Sequence, residues 1–153
     1  MTPELSTRYV FTITALIGPV INAGEIGHGV RRVIPVIGGD IRGEGINGKI
    51  LPSGADFQII RANELIELEA KYALETDDGA FVYVANYGIR FGPPELMQQL
   101  KRGEPVDPKL IYFRTMPRFE TGHPKYRWLM ENLFVGSAAR HAERVVIDVH
   151  QVL

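Results

Sequence analysis

Residues 64–76 read Glu64-Leu-Ile-Glu-Leu-Glu-Ala-Lys-Tyr-Ala-Leu-Glu-Thr76, and the assignment of this stretch decides the fold. By composition it is a helix, because Glu, Leu, Ala and Lys are strong helix formers. By period it is a strand. Ile66, Leu68, Ala70, Tyr72 and Leu74 alternate with Glu67, Glu69, Lys71, Ala73 and Glu75, the two-residue repeat of an extended chain with one face buried. A helix would scatter those two groups around its circumference. Asp77-Asp78-Gly79 follows, then a run from Ala80 to Asn86 rich in Val, Phe and Tyr. Asp-Gly between two such runs is a hairpin signal, so the stretch reads as the first arm of an antiparallel pair.

In the second arm Phe81, Tyr83, Ala85 and Tyr87 point one way and Val82 and Val84 the other. A strand apolar on both faces is expected to be covered on both, by a barrel interior and by a partner subunit or helix. Upstream, Tyr9, Phe11, Ile13, Ala15 and Ile17 share one face of a strand, and Gly27 to Gly48 surrounds the β-branched run Val33-Ile-Pro-Val-Ile37. Pro35 in that run predicts an edge position or a bulge. Downstream, Gly92-Pro93-Pro94 opens a short helix over 95–102 that Gly103 stops. Strands are expected over 110–116 and 143–153, with a helical turn over 126–132. Turn residues recur at short intervals throughout. The sum is an all-β chain, an antiparallel β-barrel of roughly eight to ten strands with one or two short helices, forming a single β-barrel domain over residues 1–153.

Hydrophobic residues make up 45% of the chain, enough for a core and too many for disorder. Seventeen basic and 18 acidic residues in mixed order leave a net charge of −1, so no nucleic acid and no anionic membrane is expected as partner. There is no cysteine, which removes disulfide scaffolds, thiol nucleophiles and thiolate zinc sites, and fits a reducing cytoplasm. The apolar run from Val10 to Ile21 is too short and too interrupted to cross a bilayer. Glu4 precedes the first base, Arg8, against the order of a secretory signal. A cytoplasmic protein is expected.

Several stretches carry a resemblance: Gly29-Val-Arg-Arg-Val-Ile-Pro-Val-Ile-Gly-Gly39, Gly48-Lys-Ile-Leu-Pro-Ser-Gly-Ala-Asp56, Tyr72-Ala-Leu-Glu-Thr-Asp-Asp-Gly79, Asn86-Tyr-Gly-Ile-Arg90, Phe113-Arg-Thr115 with Pro117-Arg-Phe-Glu-Thr121, and Tyr126-Arg-Trp-Leu129. In this order they resemble the uncharacterised bacterial and fungal family known as domain of unknown function 3237. The resemblance implies a compact β-barrel and brings no catalytic residues with it. Ser53 stands where the family pattern has glycine, and Asn63-Glu64 where it has Asp-Gly; both changes fall in turns and imply altered loop geometry.

Three motifs fail on context. Gly43-Glu-Gly-Ile-Asn-Gly48 matches a dinucleotide fingerprint by letters, but Pro52 and Gly54 prevent the helix that must follow, so a turn or bulge is expected. His28, His123, His141 and His150 have no metal spacing, and no cofactor is called for. No G-x-S-x-G elbow is present. The aromatics Tyr72, Phe81, Tyr83 and Tyr87 lack a basic surround and read as core and pocket lining.

The candidate site residues are polar side chains among apolar or glycine-rich neighbours. Asp56, at the start of a strand, is either an acid–base group whose pKa burial raises or a turn cap. Glu120 is the second acid–base candidate. Arg90 and Arg114 can hold a carboxylate or enolate with their two-pronged donors, or can pair with Glu120 as a structural bridge. Tyr87 can donate to an oxyanion, and Trp128 can cover one end of a cavity. Arg31-Arg32 reads as a solvated face. These residues suit a cofactor-independent isomerase, lyase or cyclase acting on a small organic metabolite inside the barrel. The alternatives are a non-catalytic small-molecule binding protein and a structural homo-oligomer with a filled barrel, joined through Val82 and Val84.

Overall fold

The stretch that decides the fold is a strand in the computed structural model, which describes residues 1–153: β6 (Ile66–Thr76) pairs along its whole length with β7 (Phe81–Phe91). Before them run β1 (Thr7–Ile17), β2 (Ile21–Glu25), β3 (Val30–Gly43), β4 (Asn47–Ile50) and β5 (Gly54–Ile60). After them come helix α1 (Pro94–Lys101), β8 (Tyr112–Glu120), β9 (Phe134–Arg140) and β10 (Arg144–Val152). Short 3-10 turns occupy Pro108–Leu110 and Pro124–Leu129. Every pairing is antiparallel, and β1, β3, β5, β6, β7, β8, β9 and β10 close a ring of eight. The remaining two strands extend it: β2 continues the line of β1 beside β3, and β4 fills the place beside β5 between β3 and β6. No helix is long and apolar enough to cross a membrane.

β3 is the longest strand, at 14 residues, and it is shared between neighbours. Its first half lies between β2 and β5, its second between β1 and β4. Pro35 is therefore interior to the sheet. The edge expected from sequence is replaced by a break in the neighbour: the missing N–H of Pro35 falls where β2 has ended at Val33 and β1 has not begun. The expected bulge lies beside it, as a register shift between Leu16 and Ile17 opposite β3. Gly39 sits at φ +121°, and a Cβ there would lie 1.9 Å from the carbonyl oxygen of Thr14. Only glycine lets the two backbones approach this closely. The G-x-G-x-x-G letters form the tight connection from β3 to β4.

The interior divides into a filled end and an open end. At the filled end Leu74, Val82 and Val84 are completely buried. Phe11, Phe119 and Phe134 meet there at centroid distances of 5.4–6.1 Å, with Trp128 stacked edgewise against Phe11. The 124–129 turn closes this end, tied to the β6–β7 hairpin through Asp78, which accepts from Thr76 Oγ1, Tyr126 OH and Lys125 Nζ. Val82 and Val84 thus belong to the core and offer no surface to another subunit. The exposed side of β7 is Phe81, Tyr83 and Tyr87, which corrects their expected role as core and pocket lining. Alternation separates two faces without saying which one is inside, and here both are apolar. At the open end α1 lies across the barrel mouth and buries Met97 and Leu100.

Candidate functional site

Above the aromatic layer the barrel narrows to small side chains, and a cavity opens. Ten of its 16 lining residues are hydrophobic, among them Ile34, Val36, Leu68, Phe113 and Ile147. A mostly apolar lining with a few convergent polar groups has the character, on a small scale, of an interior pocket. The strand register explains what else faces it. Asp56 on β5 is opposite Ala70 on β6, which is opposite Asn86 on β7. One step toward the mouth, Gln58 is opposite Leu68, Leu68 opposite Gly88, and Gly88 opposite Thr115 on β8. A further step brings Ile66, Arg90 and Phe113 into line. Ala70 supplies little bulk, which leaves the space between Asp56 and Asn86.

Polar groups converge on this space with few partners. Gln58, Asn86, Arg90, Thr115 and Tyr72 are all at least 95% buried. Gln58 Oε1, Tyr72 OH, Asn86 Oδ1, Arg90 Nε and Nη1, and Thr115 Oγ1 make no hydrogen bond. All five residues line the one cavity. Buried polar atoms are nearly always paired, so six unpaired ones around one chamber leave donors and acceptors turned toward its interior.

Asp56 is the acid of the cavity. Its Oδ2 accepts from Gln58 Nε2 at 2.9 Å and its Oδ1 from the backbone N–H of Glu69 at 3.1 Å. Burial pushes its pKa above the usual carboxylate range; the Gln58 hydrogen bond and the charges of Arg90 and Arg140 pull the other way without cancelling the rise. Tyr72 is pushed up strongly, first by burial and then by Asp56, so its hydroxyl stays a donor. Arg90 stacks its guanidinium over Phe113 at 5.1 Å. Burial, then the charges of Arg140 and Arg32, lower it to about 10, and it remains charged at neutral pH. No three His, Cys, Asp or Glu side chains lie close enough together to hold a metal ion.

Of the residues selected from sequence, Asp56 and Arg90 face the cavity. Asp56 lies in mid-barrel, not at the rim. Glu120, Tyr87 and Arg114 face outward. Tyr87 OH donates to Glu67 at 3.2 Å on the barrel exterior, and Arg114 stacks on Tyr112 beside Tyr87 in an outer groove. Arg114 makes no bridge to Glu120; its Nη1 donates to the carbonyl of Phe113. Alternation accounts for all three: on β8 the inward positions are Phe113, Thr115, Pro117 and Phe119, so Arg114 and Glu120 point out. Trp128 is half-buried at the filled end, against Phe11 and away from the cavity. Sequence reasoning placed Tyr72 in the core and pocket lining, where it lies, passed over Gln58, Asn86, Thr115 and Arg140, and assigned Arg32 to a solvated face although it is 8% exposed. Their signal was available. Gln58, Asn86 and Arg90 are polar letters on the inward phase of otherwise apolar strands.

The fold and cavity define a class: closed eight-stranded antiparallel barrels with a largely apolar interior chamber that holds a few buried polar groups. Within it, the chain belongs to the family described as "Protein of unknown function (DUF3237)", whose profile matches residues 5–152. A relative from Rhodopseudomonas palustris is 78% identical over the full length of both chains. The crystal structure of a conserved protein of unknown function from that species matches with a TM-score of 0.97, covering 99% of this chain and 100% of that one. A Clostridium acetobutylicum protein with unknown function is 43% identical, with a TM-score of 0.87 over 98% of this chain and 100% of its own. A structure described as an enzyme from Penicillium herquei covers 100% of this chain and 98% of its own at a TM-score of 0.74; at 17% identity the likeness is one of fold.

Proposed function

We propose that the chain is a cofactor-independent enzyme that moves a proton on a small organic molecule held inside the barrel, as an isomerase, lyase or cyclase does. The observation that carries this reading is a carboxyl group of raised pKa set among six unpartnered buried polar atoms in one largely apolar chamber. The Asp56 carboxylate takes a proton from a carbon beside a carbonyl and becomes the carboxylic acid. The electron pair of the broken C–H bond moves onto the carbonyl oxygen. That enolate oxygen accepts from the free N–H groups of Arg90 and the hydroxyl of Tyr72, donors fixed before the reaction begins. Asp56 then returns the proton to another atom of the ligand. A raised pKa makes Asp56 a stronger base than an exposed aspartate and suits it to both halves of the cycle.

The test is protein-catalysed exchange of hydrogen for deuterium at the carbon beside the carbonyl of phenylpyruvate, followed by proton NMR in D2O. This probe unites an apolar ring, an acidic C–H and an anionic head. The wild-type chain is expected to accelerate exchange, and Asp56→Asn to lower the acceleration by about 10²-fold or more. Binding without exchange in the wild type would make the protein a carrier, and exchange that persists unchanged in Asp56→Asn would remove Asp56 from the chemistry.

A further inference from the structure

Between the cavity and α1 lies a second, small outer chamber, and Arg90 and Arg140 line both. Arg32 joins them on the outer side. The three guanidiniums come from β3, β7 and β9 and gather where the two chambers meet. We propose that this meeting point, the arginine neck, holds the carboxylate head of an amphipathic organic acid, whose apolar body lies inward against Ile34, Leu68 and Phe113. The proposal rests on the reading of the barrel as a ligand site and names the class of that ligand.

Charge carries the argument. None of the three arginines has a carboxylate oxygen within 4.0 Å; all the ion pairs of the molecule lie elsewhere. Only two carboxylates line the two chambers, Asp56 within and Glu64 at the outer rim. Asp56 is already engaged by Gln58 and the Glu69 N–H. Arg32 and Arg90 are 8% and 4% exposed, so water does little to offset their charge. Buried charge is ordinarily paired, and here three guanidiniums share one carboxylate, Asp56, at more than 4.0 Å. Arg140 also donates to the carbonyls of His141 and Ala142. A cluster with so little negative charge beside it favours an anion of its own. The mutual repulsion is visible in two of the three: burial and then a neighbouring arginine lower Arg90 and Arg140, against the attraction of Asp56.

Chemistry narrows the anion. A guanidinium is a flat fork that matches a flat carboxylate with two parallel hydrogen bonds. The rim carboxylate of Glu64 disfavours a doubly charged phosphate ester. The chamber beyond the neck, mostly apolar, has no place for a second charged head.

Isothermal titration of the full chain with phenylacetate, phenylacetamide and phenyl phosphate tests this. Phenylacetate is expected to bind about tenfold or more tightly than phenylacetamide, a preference that Arg32→Gln with Arg140→Gln reduces to about threefold or less. If that double variant fails to fold, Arg140→Lys keeps the charge and loses the fork, and is expected to shrink the preference in part. Equal binding of acid and amide would overturn the proposal. So would tighter binding of phenyl phosphate, or no binding of phenylacetate at about 10 mM. The two readings fail separately. Asp56-dependent exchange on a neutral ketone, with no preference for the acid, would leave the proton-transfer chemistry standing and remove the carboxylate neck.

Discussion

Asp56 and Arg90 each place a charge where burial opposes it, and each should report that burial in solution. The folded pKa of Asp56 is raised, so its protonated form favours the folded state. Its contribution to stability is therefore full at acid pH and declines as pH rises from the ordinary aspartate value, about 4, through the raised one. Urea unfolding of wild type and Asp56→Asn across pH 4–8 should show the difference between them shifting in favour of the variant as pH rises; a difference independent of pH would contradict the burial. The rate of probe exchange should climb over the same window, because the base is the ionised form. For Arg90, two guanidinium nitrogens have no partner, and the aliphatic stem and Phe113 contact could be matched by methionine. Arg90→Met is expected to stabilise the ligand-free protein by about 1–3 kcal/mol while abolishing probe binding. A loss of stability in the denaturation midpoint would show that the arginine is structural. At this scale the sequence was legible where a polar letter stood beside glycine, as with Asp56 and Arg90. It misled where orientation mattered: Arg114 and Arg90 look alike as letters, and only the register of β7 with β8 turns one out and the other in.

Among the elements, β3 organises the barrel, because it changes neighbours halfway along. Gly39 is the point where the change is tightest. With φ at +121° and Thr14 in the way of any Cβ, Gly39→Ala should lower stability by about 2 kcal/mol or more, read as the urea midpoint, whereas Gly79→Ala, in an open turn with nothing within 4 Å, should lower it less despite its own φ of +87°. Equal effects would mean that backbone conformation alone, and not the approach of β1, matters at Gly39. The period-two pattern of β6 and the Asp-Gly turn after it were readable from the sequence, because local alternation and turn chemistry agree there. The role of Pro35 was not. Its compatibility with an interior strand depends on where a distant neighbour breaks, and that information lies outside its own segment.

For the molecule as a whole, the barrel is packed solid at one end and open at the other. Phenylalanine side chains fill the half closed by the 124–129 turn; aliphatic side chains and a few buried polar ones line the half under α1. The all-β antiparallel architecture followed from the sequence, since strand periods and turn spacing recur along the chain. The cavity did not, because it arises where Ala70 stands between Asp56 and Asn86 across the sheet, and an alanine is unremarkable alone. Ala70 therefore gives the most direct test. Ala70→Leu would push a larger side chain into the chamber between Asp56 and Asn86, filling space without touching the arginine neck. The expected result is a melting temperature equal to or above wild type, together with loss of phenylpyruvate binding by isothermal titration. Undiminished binding to a folded Ala70→Leu chain would contradict the account and place the ligand outside the barrel.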